Sequence, residues 1–170
     1  MVKRANNSKR YIYRKKANPQ NRTAQDFVIG GVRNYIRQKN ELRRLSAKNY
    51  RNDVKNIATK PAVQKMRQFN HHSHTNCFEH SVHVSYMNYL ICRKFGWDVY
   101  SAAKAGLLHD MFLYDWHDFT PAKGERLHGF EHPSKALKNA HDNFELTRKE
   151  GDMIAKHMFP LTLTPPSYKE

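Results

Sequence analysis

Several large classes of protein are excluded by what this sequence lacks. Only two cysteines, Cys77 and Cys92, occur in 170 residues, too few for a disulfide framework. Both fall on one predicted helix, about 22 Å apart at a rise of about 1.5 Å per residue, well beyond the roughly 7 Å that a bridge can span. No run approaches the ~18 consecutive apolar residues of a membrane span. The N-terminal stretch MVKRANNSKRYIYRKKANPQNR has no apolar segment after its basic start, so it does not read as a secretory signal. Its acid-poor make-up is compatible with a transit peptide. No segment alternates with the period of a strand and no internal repeat is visible. Together these absences predict an all-α chain with no membrane partner, and the unpaired thiols favour a reducing, cytoplasmic compartment.

Acidic residues are also scarce. There are 15 Asp+Glu against 30 Lys+Arg, a formal charge of +15. The excess is not evenly spread. Residues 1–60 hold 17 Lys/Arg and 3 Asp/Glu, a net of +14, whereas residues 61–170 are close to neutral and carry all 11 histidines. The sequence therefore divides into a basic tail (1–22), a basic helical extension (23–60) and a histidine-bearing helical domain (61–170). The basic region, with Tyr11, Tyr13, Tyr35 and Tyr50 among its cations, would suit nucleic acid through phosphate contacts and stacking. A solubilising helix face accounts for the same residues.

Apolar spacing predicts a helix over 23–39, with Phe27, Val28, Val32, Tyr35 and Ile36 on one face and Gly30-Gly31 as a weak point. A polar helix follows over 41–55. Pro61 suits the first position of a short helix ending near Phe69. Asn70–Asn76 (NHHSHTN) reads as a loop. Cys77–Phe95 reads as a long helix stopped by Gly96, and Asp98 as the N-cap of the next. Leu113–Gly129 is a long connection. Pro133 is expected to open a helix to about His141, and Thr147 with Glu150 forms a capping box for a last helix ending near His157.

The chemistry lies in four histidine positions on four predicted elements: His80, the pair His109-Asp110, His132 and His157. Residues so far apart can meet only in a folded bundle, which is how helical proteins build metal sites. His109-Asp110 follows the small, apolar run Ala102–Leu108. An ionised carboxylate is costly to bury there unless a cation meets it. Imidazole with carboxylate suits Mn, Fe, Co, Ni or Zn. Taken alone, the pair reads first as a helix C-cap followed by the first loop residue.

The order of the blocks EHSVHVS, AGLLHDMFLYDWH, LHGFEHP and KHMFP resembles the HD-domain superfamily of metal-dependent phosphohydrolases, over about residues 69–169. The resemblance implies an α-helical bundle that hydrolyses a phosphate mono- or diester of a small, nucleotide-like substrate with metal-activated water. It implies His80, His109 and Asp110 as metal ligands, Asp110 also being catalytic, with one or two divalent ions per chain. His132 and His157 match the extra histidines of two-metal members, in which the Asp bridges. The family pattern continues to a further aspartate on a later helix. Here no Asp follows Asp152, so either the sequence is truncated or the site is incomplete. Asp115 and Asp118 are weak substitutes.

A phosphate needs positive charge beside it. Lys123 and Arg126, in the loop between Asp110 and His132, and Lys156, next to His157, are the candidate catalytic cations. His72 and His128 are candidate pocket residues. His83 shares a helix face with His80, and His117 and His141 read as surface. Phe112, Tyr114, Trp116 and Phe119 are expected to pack the loop over the core, and Trp116 could stack on a base. Beside the hydrolase stand two other readings: an HD scaffold that binds metal or ligand without turnover, and a nucleic-acid-binding protein acting through residues 1–60.

Overall fold

A computed structural model describes residues 24–72 and 75–170, without the side chains of 24–29 and 72. The basic tail 1–22 and His74 lie outside the described residues, as do the side chains of Phe27, Val28 and His72. Among the described residues six α-helices, α1 (Ala24–Ala58), α2 (Pro61–Lys65), α3 (Cys77–Phe95), α4 (Val99–Leu108), α5 (His128–Asn143) and α6 (Arg148–Lys156), and a 3-10 turn (Met66–Gln68) accompany one antiparallel pair, β1 (Asn70–His72) and β2 (Thr75–Asn76). The fold is all-α, as the absence of alternating runs implies. The NHHSHTN segment differs from the sequence reading: it is a short hairpin, not a loop. Its polar residues pair Asn70 with Asn76 and His72 with Thr75.

Two other boundaries also differ. The two expected N-terminal helices are one helix, α1, which runs through Gly30-Gly31 and Asn40. Glycine costs a helix about 1 kcal/mol without ending it. The chain divides into two compact units, Met1–Arg43 and Arg44–Glu170, so the C-terminal part of α1 belongs with the second. There Tyr50, Val54 and Ile57, at helical spacing, are buried in the core, and the Tyr50 hydroxyl donates to the Val82 carbonyl at 3.3 Å. In the first unit, the side chains of residues 31–43 are exposed. The other difference is α5, which starts at His128 and contains Pro133 in its second turn. Without an N–H, Pro133 leaves the Gly129 carbonyl short of its helical partner.

The remaining helix ends follow their local chemistry. Asn76 caps α3 by accepting from the Glu79 N–H, Asp98 caps α4 by accepting from Ser101, and Thr147–Glu150 is a reciprocal capping box on α6. Gly96 closes α3 at φ 69°, a left-handed position that glycine takes without strain.

Helices α3 and α4 carry the site and approach each other closely. A Cβ at Gly106 would lie 2.9 Å from the Ser85 Cα and 2.9 Å from the Asn88 Nδ2, so no larger residue fits without displacing backbone. The Ser85 hydroxyl donates to the Ala103 carbonyl at 2.6 Å across the same contact. Helix α6 is fastened to α4 by Lys104, whose Nζ donates to Glu150 Oε2 at 2.9 Å and to the Glu145 carbonyl at 2.7 Å.

Candidate metal centre

The end of α4 sets the centre. His109 is the C-cap of α4, as a bland reading of the pair allows, yet its ring also turns toward Asp110. Asp110 is 4% exposed and lies among five imidazoles from five parts of the chain. Its Oδ2 is 3.1 Å from His71 Nε2, 3.5 Å from His80 Nε2 and 3.1 Å from His109 Nε2. Its Oδ1 is 3.5 Å from His132 Nε2 and 3.6 Å from His157 Nε2. The carboxylate thus divides the histidines into two groups, one on each oxygen.

The tautomers of three rings follow from their second nitrogens. The Nδ1 of His109 is 2.8 Å from the Gly106 carbonyl, that of His132 3.0 Å from the His128 carbonyl, and that of His157 2.8 Å from the Ile154 carbonyl. A carbonyl only accepts, so each Nδ1 donates, and in the neutral ring each Nε2 then presents a lone pair. His132 Nε2 and His157 Nε2 are 2.8 Å apart. Two lone pairs facing each other at that distance repel unless a cation or proton lies with them. Backbone carbonyls that fix the outer nitrogen are the usual support for metal-ligating histidine.

The electrostatics agree. Burial, reinforced by the neighbouring His109, pushes His157 down to about 4, and burial likewise lowers His132, so both are neutral at pH 7. Burial also pulls on His109, but its hydrogen bond to Asp110 and that carboxylate's charge raise it overall. Burial acts to raise Asp110, yet hydrogen bonds from His109 and His71 hold it far below the ordinary carboxylate range. An ionised carboxylate and neutral imidazoles are the protonation states in which these groups bind metals. The cluster can hold a metal ion: His71, His80 and Asp110 form one ligand group and His109, Asp110 and His157 another.

The centre opens into a cavity of about 650 Å³. Beside the histidines its lining includes Phe112, Trp116, Phe119, Leu127 and Met158. His128 lines it too. Its ring stacks on His132 at 4.7 Å and on Trp116 at 5.4 Å, and its Nδ1 is 2.8 Å from the Tyr114 hydroxyl. Burial and the adjacent His132 push His128 down to about 4. Burial, with the charges of Glu125 and Glu131, pushes Tyr114 up to about 12, so it remains a phenol.

Of the residues expected from the sequence, the structure brings together His80, His109, Asp110, His132 and His157, with His128 lining the cavity. The three expected cations lie elsewhere. Lys123 is exposed. Arg126 bonds Glu131 with its side chain 71% exposed. Lys156 pairs with Asp152 and donates to Ser167. None of the three lines the cavity. For Arg126 and Lys156, carboxylates four or five residues away are nearer partners. His83 and His141 are exposed, and His117 bonds Asp115 at the surface. Asp115 and Asp118 are exposed too.

His71 is the ligand-type residue that sequence reasoning passed over in favour of His72. It stacks on His80 at 3.7 Å and 9°, and Trp116 Nε1 donates to its carbonyl at 3.2 Å. Three histidines just ahead of α3 were the available signal, but nothing in their spacing along the chain singles out His71. No family model, curated protein or solved structure matches the chain.

Proposed function

We propose that the chain is a metal-dependent phosphohydrolase of the HD-domain type, cleaving a phosphate mono- or diester of a small, nucleotide-like substrate. The observation that carries this reading is Asp110, with imidazole Nε2 atoms gathered separately on its two oxygens. That arrangement supports one or two divalent ions from the Mn, Fe, Co, Ni or Zn group. By the spacing of their ligand atoms His71, His80 and Asp110 would hold one, and His109, Asp110 and His157 the other, His109 crossing over from the Oδ2 set. When bound, such an ion supplies Lewis acidity, lowering the pKa of water toward ~7 and offsetting charge that develops on a phosphoryl oxygen.

The chain's own groups supply the rest. Asp110 stays ionised. The backbone carbonyls of Gly106, His128 and Ile154 hold His109, His132 and His157 in one tautomer, so that no reorganisation is needed on binding. The cavity of about 650 Å³ leaves room for a phosphate ester beside Asp110. The buried, unpaired Cys77 and Cys92 suit a reducing cytoplasm.

The test uses the full chain, stripped and reloaded in turn with Mn, Fe, Co, Ni and Zn, on p-nitrophenyl phosphate and bis-p-nitrophenyl phosphate. Metal-dependent turnover abolished by Asp110→Asn is expected. No retained metal and no turnover with any of the five would overturn the reading, and retained metal without turnover would favour a binding scaffold. A second reading, nucleic-acid binding through residues 1–60, draws on the exposed side chains of residues 31–43, among them Arg33, Arg37 and Arg43. It predicts RNA or DNA affinity that falls steeply with salt and is retained in Asp110→Asn.

A further inference from the structure

The histidines that line the cavity do not all present the same group to it. His109, His132 and His157 each donate Nδ1–H to a backbone carbonyl, which leaves a lone pair on Nε2. His128, one turn before His132 on α5, makes no such bond. Its Nδ1 is 2.8 Å from the Tyr114 hydroxyl, the single hydrogen bond of either side chain among the described residues. A phenol is the better donor of the two and an imidazole nitrogen the better acceptor, so the O–H donates to Nδ1. The reverse pairing would leave both the phenolic hydrogen and the imidazole lone pair without a partner there. With Nδ1 accepting, the neutral ring carries its hydrogen on Nε2. That atom is an N–H donor with no protein acceptor, on a residue that lines the cavity. It is not sealed in protein either: the buried side-chain atoms that lack a partner among the described residues are on Ser46, Ser81 and Thr162.

The position of this donor suits a phosphoryl oxygen. The His128 ring stacks on that of His132 at 4.7 Å and 20°, and His132 Nε2 is 3.5 Å from Asp110 Oδ1, so the donor ring is one ring removed from the carboxylate. Contacts with the Phe112 ring at 5.0 Å and the Trp116 ring at 5.4 Å hold its plane, so little order is left to gain on binding. A phosphoryl oxygen needs a cation or an N–H beside it, and no Lys or Arg lines the cavity among the described residues. We infer that His128 is the substrate-facing donor of the site: its Nε2–H binds a phosphoryl oxygen of the ester, and Tyr114 is a positioning residue that fixes the tautomer. This rests on the phosphohydrolase reading for the identity of the ligand and goes beyond it in assigning the donor. Two histidines one turn apart are thereby distinguished. His132 presents a lone pair suited to a cation, and His128 a hydrogen suited to an anion.

The test separates a donor from a metal ligand and from a packing residue. Long-range proton–nitrogen correlation spectra of the metal-free full chain at neutral pH should show His128 as the Nε2–H tautomer and His132 as the Nδ1–H tautomer. The full chain, loaded with whichever of Mn, Fe, Co, Ni and Zn it retains, is then titrated calorimetrically with methylphosphonate, which has no ester to hydrolyse. His128→Ala, and His128→Phe, which keeps a ring in that position but no donor, should each weaken methylphosphonate binding about tenfold or more, as loss of a hydrogen bond to a charged group does. Metal content after dialysis should not change in either. His128→Gln, whose side-chain amide donates from nearly the same place, should keep most of the affinity. Tyr114→Phe should weaken binding by about two- to fivefold and have no further effect in a His128→Ala background. An Nδ1–H tautomer at His128, unchanged methylphosphonate affinity in His128→Phe, or loss of metal in that variant would overturn the inference and leave the phosphohydrolase reading in place. An unsubstituted chain that binds no methylphosphonate would overturn both. Methylphosphonate binding that depends on His128, in a protein that hydrolyses no ester, would uphold the donor while removing the hydrolase.

Discussion

Two carboxylates are buried near α4, and the chain treats them differently. Glu150 is 1% exposed and Asp110 4%. Glu150 meets a permanent cation, Lys104, at 2.9 Å, and also closes the capping box of α6 by accepting from the Thr147 N–H at 2.9 Å. Its partners are complete and it lines no cavity, so it is a structural clasp between helices. Asp110 meets only imidazoles, two of them held neutral, and it faces a cavity. A buried carboxylate whose partner is always charged is finished by folding. One that meets only imidazoles, of which His132 and His157 are neutral, keeps the capacity to take a cation from outside. The contrast separates a carboxylate that folding completes from one placed where it could hold a metal ion.

The comparison breaks most sharply at Asp110. Asp110→Asn removes the group shared by both histidine sets. It should lower metal affinity by more than about a hundredfold, since even groups one step removed from a metal are worth 10–100-fold. Metal content after dialysis measures this, and a folded variant is expected.

Lys104→Met attacks the clasp instead. It leaves Glu150 buried without its cation and should cost roughly 3–5 kcal/mol, read as a lowered denaturant midpoint. Metal bound per folded molecule should not change. Adding Glu150→Leu should return much of the loss, because the pair as a whole contributes less than its broken half costs.

Gly106→Ala tests the close approach of α3 and α4. The added methyl meets Ser85 backbone at 2.9 Å, a cost of about 1–3 kcal/mol. Part of it should appear as weaker metal binding, since the same contact sets the distance from His80 to His109.

The smallest effect sharpens the contrast through pH. Above pH 6.5 His157 and His128 are neutral in both folded and unfolded chains. Between 6.5 and about 4 the unfolded chain binds protons that the folded one refuses, so metal-free stability falls as pH falls through that window. His109, raised by Asp110, acts in the opposite sense: its contribution is full below 6.5 and is lost as pH rises through its folded value. His157→Gln should therefore flatten the acid-side loss in a series of urea midpoints. An unchanged slope would show that His157 is not held neutral.

Much of the local structure was legible in single residues. Asn76, Asp98 and Thr147 begin helices where their side chains can accept a backbone N–H, and Gly96 ends one where φ turns positive. These are short-range effects, carried within one turn of chain. The errors lie where local signals compete. Gly30-Gly31 weakened α1 without ending it. Pro133 looked like a helix start because its φ suits one, but α5 had already begun five residues earlier. The NHHSHTN segment gave no strand signal because a two-strand hairpin in polar residues has no apolar alternation to show.

The sequence by itself determined the helical class, the helix ends and the inventory of the site, since a carboxylate after an apolar helix and histidines on four separate elements are fixed by composition and order. Tertiary structure alone decided which histidines count and where the charge goes. His71 meets Asp110, five rings divide between two oxygens, and Lys123, Arg126 and Lys156 do not line the cavity while Lys104 closes on Glu150. Direction and distance between residues dozens of positions apart depend on how α3, α4, α5, α6 and the hairpin pack. No local propensity encodes that.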